Sequence, residues 1–151
     1  MDDYSIVVWT KDSDSKIGRL AEELIKESEY AHCYFDPQNP RNPHVFLALC
    51  NDSAIGFILM DLRYHTHLAP LNQVDGVGIF TWQKVTPELI WSTVCIWVKP
   101  QFRERGIGKE LCLAGCSFFK TSPKELGWTT PITESGQAFL KALGINEVKI
   151  A

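Results

Sequence analysis

One stretch constrains the fold of this chain more than any other: a buried strand that stops at a proline and runs without a spacer into a basic, glycine-bearing turn and a helix. Ile90-Trp91-Ser92-Thr93-Val94-Cys95-Ile96-Trp97-Val98-Lys99-Pro100 is rich in β-branched and aromatic residues, and Pro100 ends it because proline lacks the N–H that a ladder uses. Gln101-Phe102-Arg103-Glu104-Arg105-Gly106-Ile107-Gly108-Lys109 follows at once. After it, Ile107, Leu111, Ala114 and Phe118 recur at helical spacing, predicting a helix that ends near Lys120, before Ser122-Pro123.

Strand, turn and helix in that order suit an anion. The first N–H groups of a helix have no intrahelical partner, and the macrodipole places about half a positive charge there. Gly106 and Gly108 let a phosphate approach the backbone, and Arg103, Arg105 and Lys109 add charge. A glycine turn before a helix also serves as a plain tight connection, and spacing alone leaves both readings open. Two common phosphate loops are excluded. A Walker loop needs four residues between its glycines and then Lys-Ser/Thr, whereas here one residue separates them and Glu110 follows Lys109. A dinucleotide fingerprint needs a third glycine where Leu111 stands.

The pattern Arg103-Glu104-Arg105-Gly106-Ile107-Gly108, preceded by Val98-Lys99-Pro100, resembles the Arg/Gln-x-x-Gly-x-Gly/Ala loop of the GCN5-related N-acetyltransferase (GNAT) superfamily. The resemblance implies an α+β fold with a mixed, mostly antiparallel central sheet flanked by helices, in a single domain over 1–151. It implies acetyl-coenzyme A as cosubstrate. Ile96, Trp97 and Val98 would lie along its pantetheine arm, Ile96 and Val98 pairing through their backbone, and a strand N–H near Ile96 would stabilise the oxyanion. The loop from Arg103 to Lys109, with Glu104 and Ile107 included, would hold the pyrophosphate.

Composition agrees with one globular domain: 151 residues, 45% hydrophobic and 22% charged. A net charge of -3 argues against a nucleic-acid partner, which asks for a basic face. Met1-Asp2-Asp3 is acidic where a signal peptide is basic, and no apolar run approaches membrane-spanning length. A cytoplasmic protein without a membrane partner is the expectation, with a homodimer left open. Cys33, Cys50, Cys95, Cys112 and Cys116 read as small buried hydrophobes rather than a disulfide framework or a zinc set.

Along the rest of the chain, Tyr4 to Trp9 reads as a strand, and Ser13 or Asp14 caps a helix with Ile17, Leu20, Ala21, Leu24 and Ile25 on one face. A helical turn over 29–33 and a proline-rich loop follow. His44 to Cys50 and Ala54 to Leu62, joined by Asn51-Asp52-Ser53, predict a hairpin, with Gly56 marking a bulge or a close approach. His65-x-His67 is a weak metal match and reads as a rim. The stretch 76–82 suggests a short strand or flap. Gly127 to Pro131 predicts a short strand, Ser135 to Leu143 a helix closed by Gly144, and Glu147 to Ile150 a last strand.

The resemblance assigns acceptor contacts to the segment after the first helix, where Tyr30, His32, Tyr34 and Asp36 stand, and His65 joins them from the rim; covering the core edge is the alternative for each. The resemblance offers Glu88 as the candidate base, with Asp61 second; a solvated charge at a strand end is the alternative for each. The family tyrosine that protonates the departing thiolate falls on Leu140, which has no proton to give. A thiol pKa of about 8.5 makes the thiolate a tolerable leaving group, and general acids contribute about 10²- to 10⁴-fold. Thr130, Thr133 or Ser135 is close enough in sequence to orient a water, and the acid stays unassigned. The functions compatible with these residues are acetyl transfer to a primary amine of a small molecule or peptide, or a catalytically silent acyl-coenzyme A binding module.

Overall fold

The computed structural model describes residues 3–29, 36, 38–71, 88–129 and 132–151. The strands are β1 (Ser5–Trp9), β2 (His44–Cys50), β3 (Ser53–Tyr64), β4 (His67–Pro70), β5 (Leu89–Val98), β6 (Gly127–Trp128) and β7 (Glu147–Ile150); the helices are α1 (Ser15–Glu27), α2 (Ile107–Phe119) and α3 (Glu134–Ala142). The strands form one sheet in the order β1-β2-β3-β5-β6-β7-β4. β1, β2, β3 and β5 are antiparallel neighbours, β6 is parallel to both β5 and β7, and β4 closes the far edge antiparallel to β7. The mixed, mostly antiparallel α+β architecture expected from the sequence is the one observed.

Helices cover both faces, so the central strands read as near-continuous apolar runs rather than alternating ones. Their side chains still alternate by face. Phe57 and Leu59 of β3 join Val45 and Leu47 of β2 beneath Ala21, Leu24 and Ile25 of α1. Ile58 and Met60 join Phe46 and Ala48 on the other face, beneath Leu111, Cys112 and Cys116 of α2 and Leu140 of α3. Burying each large aliphatic or aromatic side chain is worth about 1.5–3 kcal/mol, and both layers depend on the same strands.

The local signals hold where they are steric. Asp14 caps α1, its Oδ1 accepting from Ile17 N–H at 3.0 Å, while Ser13 bonds back to Thr10 N–H instead. Gly56 is a close approach: a Cβ there would meet Val98 Cγ2 at 3.2 Å and the Trp97 carbonyl at 3.3 Å. Gly144, at φ +79°, ends the chain's turn out of α3, with Ile145 N–H on the Leu140 carbonyl at 3.0 Å.

Three readings change. The buried stripe of α2 is Ile107, Leu111, Cys112, Gly115 and Cys116, while Phe118 is 50% exposed. The helix rests on β3 at Gly115, where a Cβ would lie 2.7 Å from Met60 Sδ and Cε, so a glycine and not a large residue marks the contact face. Phe118 instead packs edge-on against Phe46 and tilted on His44 at the rim. Secondly, His67–Pro70 is a strand that the sequence did not announce; its pairing with β7 is long-range. Thirdly, Cys95 is disulfide-bonded, whereas Cys50, Cys112 and Cys116 are free and buried as expected. The expected strand or flap over 76–82 lies outside the described residues, as does the turn over 29–33 beyond Glu29. Among the described residues no helix is long and apolar enough to cross a membrane, and no cluster of His, Cys, Asp or Glu could hold a metal ion.

Candidate active site: an open strand edge leading into an uncapped helix

β5 is paired along its whole length on one side and along only part of it on the other. β3 runs beside it from Leu89 to Val98, but β6 matches it only at Ser92 and Thr93. Beyond Thr93 the two parallel strands part. The junction is fastened by Thr129, whose N–H donates to the Thr93 carbonyl at 3.2 Å and whose Oγ1 donates to the Val94 carbonyl at 2.8 Å. A bulge sits at the same level, because Leu59 pairs with Cys95 and Met60 with Thr93, leaving Val94 as the extra residue.

Strand alternation decides what the open edge offers. Lys99 N–H donates to the Ile55 carbonyl at 2.8 Å, so Trp97 and Cys95 direct their backbone groups toward β3. Ile96 and Val98 therefore present theirs to the open side. The side chains follow the other alternation: Ile96 and Val98 pack into the layer under α2 and α3, and Trp97 into the layer under α1.

The edge leads into the glycine loop. Pro100–Phe102 is a single 3₁₀ turn. Gly106 then takes φ +79°, a left-handed conformation that a side chain strains, and starts α2 without a side-chain cap. α1 and α3 differ in this respect, since Asp14 and Thr133 each accept a backbone N–H at their starts. The first N–H groups of α2 thus face outward from an open glycine turn. Gly108 lies against the sheet and α3, where a Cβ would make ordinary contacts, 3.4 Å from Phe139 Cε2 and 3.5 Å from Ile96 Cδ1. Arg103 is anchored at one end, with Nε donating to the Val98 carbonyl at 2.8 Å and its guanidinium carbon 5.8 Å from the centroid of the Trp97 ring. Its terminal nitrogens remain for an anion. The Arg105 guanidinium carbon lies 5.5 Å from the Phe102 ring centroid, and Glu104, Arg105 and Lys109 are exposed.

Between the open edge and α3 lies a slot of about 140 Å³, lined by Thr93, Val94, Cys95 and Ile96 on one side and by Trp128, Thr129, Ile132, Thr133, Gly136, Phe139 and Leu140 on the other. Leu140 is 1% exposed and faces this slot. Thr133 Oγ1 is engaged with Gly136 N–H at 3.1 Å. A larger hollow of about 460 Å³, lined among others by Thr10, Asp12, Asn39 and His44, lies where the turn after β1 meets the loop leading into β2.

The remaining sequence candidates scatter. Asp61, 3% exposed, pairs across the sheet with Ser92 and is gripped by Arg63 through Oδ1 at 2.7 Å and Oδ2 at 3.2 Å. The period of two in a strand puts Asp61 and Arg63 on one face, so this pairing was available to sequence reasoning. Glu88 is exposed, just before β5, about 16 Å along the strand from Thr93 at 3.3 Å per residue. His65 is half-buried in the link between β3 and β4. Tyr30, His32 and Tyr34, and Thr130, lie outside the described residues.

One polar atom was not anticipated. Thr93 is 3% exposed, and its Oγ1 is buried with no hydrogen-bond partner among the described residues. A threonine inside an apolar strand run is the only sequence signal that pointed to it.

A split parallel strand pair, with a glycine-led helix start at the end of the open strand, gives this α+β domain an unpaired strand edge that runs into free helix N–H groups. The Acetyltransferase (GNAT) family profile matches residues 15–144, and the chain belongs to that family. Solved structures agree on the fold. The xEco2 acetyltransferase domain bound to a coenzyme A conjugate superposes with a TM-score of 0.74 at 16% identity, covering 99% of this chain and 92% of that one. The aminoglycoside N-acetyltransferase AAC(6')-Iy in complex with coenzyme A gives 0.63 at 21% identity, over 100% and 93%. A ribosomal-protein-alanine N-acetyltransferase from Brucella melitensis gives 0.51 at 15%, over 95% and 91%. A comparison with curated proteins by sequence gives no match.

Proposed function

We propose that this protein is an acetyl-coenzyme A-dependent N-acetyltransferase that transfers the acetyl group directly to a primary amine of a small molecule or peptide. The observation that carries the reading is the continuity of the open β5 edge, through Ile96 and Val98, with the uncapped, glycine-led start of α2. The backbone of Ile96 and Val98 pairs with the two amides of the pantetheine arm beside Trp97. The N–H groups of Ile107, Gly108 and Lys109, with Arg103 and Arg105, hold the pyrophosphate; Glu104 and Gly106 shape the turn that exposes them. The splayed strands admit the arm, and the slot's apolar lining keeps water from the thioester.

An attacking amine must be neutral, so its proton leaves first. Glu88, about 16 Å along β5 from Thr93, is the first candidate to receive it, through a chain of waters, because its carboxylate carries no ion pair among those found in the described residues. Asp61 is the second, since Arg63 already occupies both of its oxygens. Tyr30, Tyr34 and His65 are the proposed acceptor contacts. Structural neighbours that act on aminoglycosides support a cationic amine as the acceptor class. A soluble protein working in the cytoplasm without a nucleic-acid partner fits this reading, and sedimentation distinguishes monomer from homodimer.

Isothermal calorimetry with coenzyme A tests the cofactor, and free-thiol release from acetyl-coenzyme A with polyamines, aminoglycosides, amino acids and peptides tests the reaction. Arg103→Ala removes a charged donor and raises the coenzyme A Kd by about tenfold or more. An unchanged Kd in Arg103→Ala would remove the pyrophosphate from this loop. Leu140 in the slot favours the second reading, an acyl-coenzyme A binding module without turnover; it stands if the cofactor binds and no amine is acetylated.

A further inference from the structure

The open edge of β5 has a definite closed end. From the glycine loop it runs back past Val98 and Ile96 and stops where Thr129 takes the carbonyls of Val94 and Thr93. An arm laid along this edge with its phosphates at the loop can pair no further than that point, roughly 13 Å from Val98 at 3.3 Å per residue. Its free end, the sulfur, arrives beside Thr93.

Thr93 faces the same side. It stands opposite Met60 on β3 and opposite Trp128 on β6, and both belong to the layer beneath α2 and α3. Its side chain therefore points toward the slot that Leu140 lines from α3. A buried hydroxyl without a partner costs free energy, and such groups in folded proteins ask for an explanation. Each neighbouring hydroxyl at this end of the slot is already engaged: Thr129 Oγ1 on the Val94 carbonyl and Thr133 Oγ1 at the start of α3. Thr133 Oγ1 accepts from Gly136 N–H and lies 3.3 Å from Ser135 Oγ, so of the three only Thr93 Oγ1 is buried with no hydrogen-bond partner at all.

We propose that Thr93 is a catalytic residue whose hydroxyl donates a hydrogen bond to the coenzyme A sulfur as it becomes a thiolate, filling the role that Leu140 cannot. The inference rests on the acetyltransferase reading given above. In the transfer, the amine nitrogen bonds to the acetyl carbon and the carbon–sulfur bond breaks, its electron pair staying on sulfur. The amine gives its proton to a carboxylate or to water. Thr93 keeps its own proton and supplies only the hydrogen bond; solvent protonates the thiolate on release. A threonine hydroxyl is too weak an acid to do more, and a thiolate near neutrality does not require more.

The test uses bound coenzyme A, so it does not wait for the acceptor. The thiol pKa of the complex is read from thiolate ultraviolet absorbance as the difference between complexes with coenzyme A and with desulfo-coenzyme A, in wild type, Thr93→Val and Thr93→Ser. A hydrogen bond to a charged partner predicts a thiol pKa about one unit or more lower in wild type than in Thr93→Val, with Thr93→Ser close to wild type. Coenzyme A affinity measured at a pH where the thiol is protonated stays within about twofold in all three, because the neutral thiol gains little from the bond. Melting separates this role from a structural one: a methyl in place of an unpartnered hydroxyl leaves the Tm of Thr93→Val equal or higher. Thr93→Ala repeats the measurement without the β-branch. Equal thiol pKa values in wild type and Thr93→Val, or a fall in Tm with the pKa unmoved, overturns the role of Thr93 and leaves the acetyltransferase reading standing. Failure of the wild-type protein to bind coenzyme A overturns both.

Discussion

Gly106 and Gly108 sit two residues apart and answer to different constraints. Gly106 has open space around its missing Cβ and a φ of +79°, so backbone conformation alone demands glycine. Gly108 is inside α2 with ordinary helical geometry, and a Cβ would meet Phe139 and Ile96 at normal contact distance. Gly106→Ala should therefore lose about 1–2 kcal/mol in urea unfolding, whereas Gly108→Ala should be neutral or gain up to about 1 kcal/mol. Tyr4 makes a second residue-scale prediction. Its hydroxyl donates to Glu110 Oε2 on α2, and partial burial first, that carboxylate second, push the phenol from 10.0 to about 12. The folded state then keeps a proton that the unfolded chain releases above 10. The contribution is fully present below about pH 10 and is lost as pH rises toward 12, so the urea midpoint should fall relative to Tyr4→Phe over that window and not below it.

At the scale of elements, the site depends on how short β6 is. Gly127 allows β6 to reach β5 at all: a Cβ there would lie 2.4 Å from Ser92 Oγ and 3.1 Å from both Ile90 Cδ1 and Ala151 Cβ. Gly127→Ala should cost about 1–3 kcal/mol and weaken coenzyme A binding by moving the closed end of the open edge. Adding Ser92→Ala should restore part of both, read by unfolding and calorimetry on the same samples. The strand, turn and α2 that form the loop side of the site were legible, because proline, glycine and apolar periodicity act over a few residues. The α3 side was legible as a helix, but not as the wall of a slot. The stripe of α2 was misread in part, since Gly115 against Met60 is a fact of packing and not of spacing.

Across the whole molecule one sheet serves two hydrophobic layers. The strands that bury Phe57 and Leu59 beneath α1 also bury Ile58 and Met60 beneath α2, so neither layer survives loss of the other. Circular dichroism, reporting the sheet and helices, and tryptophan fluorescence, reporting Trp9 beneath α1 and Trp128 beneath α3, should trace one coincident transition. Coenzyme A at about 100 times its Kd should stabilise both signals together by about 2.7 kcal/mol. A shift in one signal alone would refute the shared-sheet account.

The sequence by itself determined the chemistry of the loop: where β5 stops, where α2 starts, that two glycines sit at the turn between them, and that Leu140 brings no hydroxyl. Those follow from sterics and periodicity within a few residues of one another. Tertiary structure alone decided where β5 and β6 part, that Thr129 closes the edge, that His67–Pro70 pairs with β7, and that Thr93 Oγ1 is left without a partner. Each of these depends on register between segments distant in the chain, and register is set by the packing of whole faces rather than by any local run of residues.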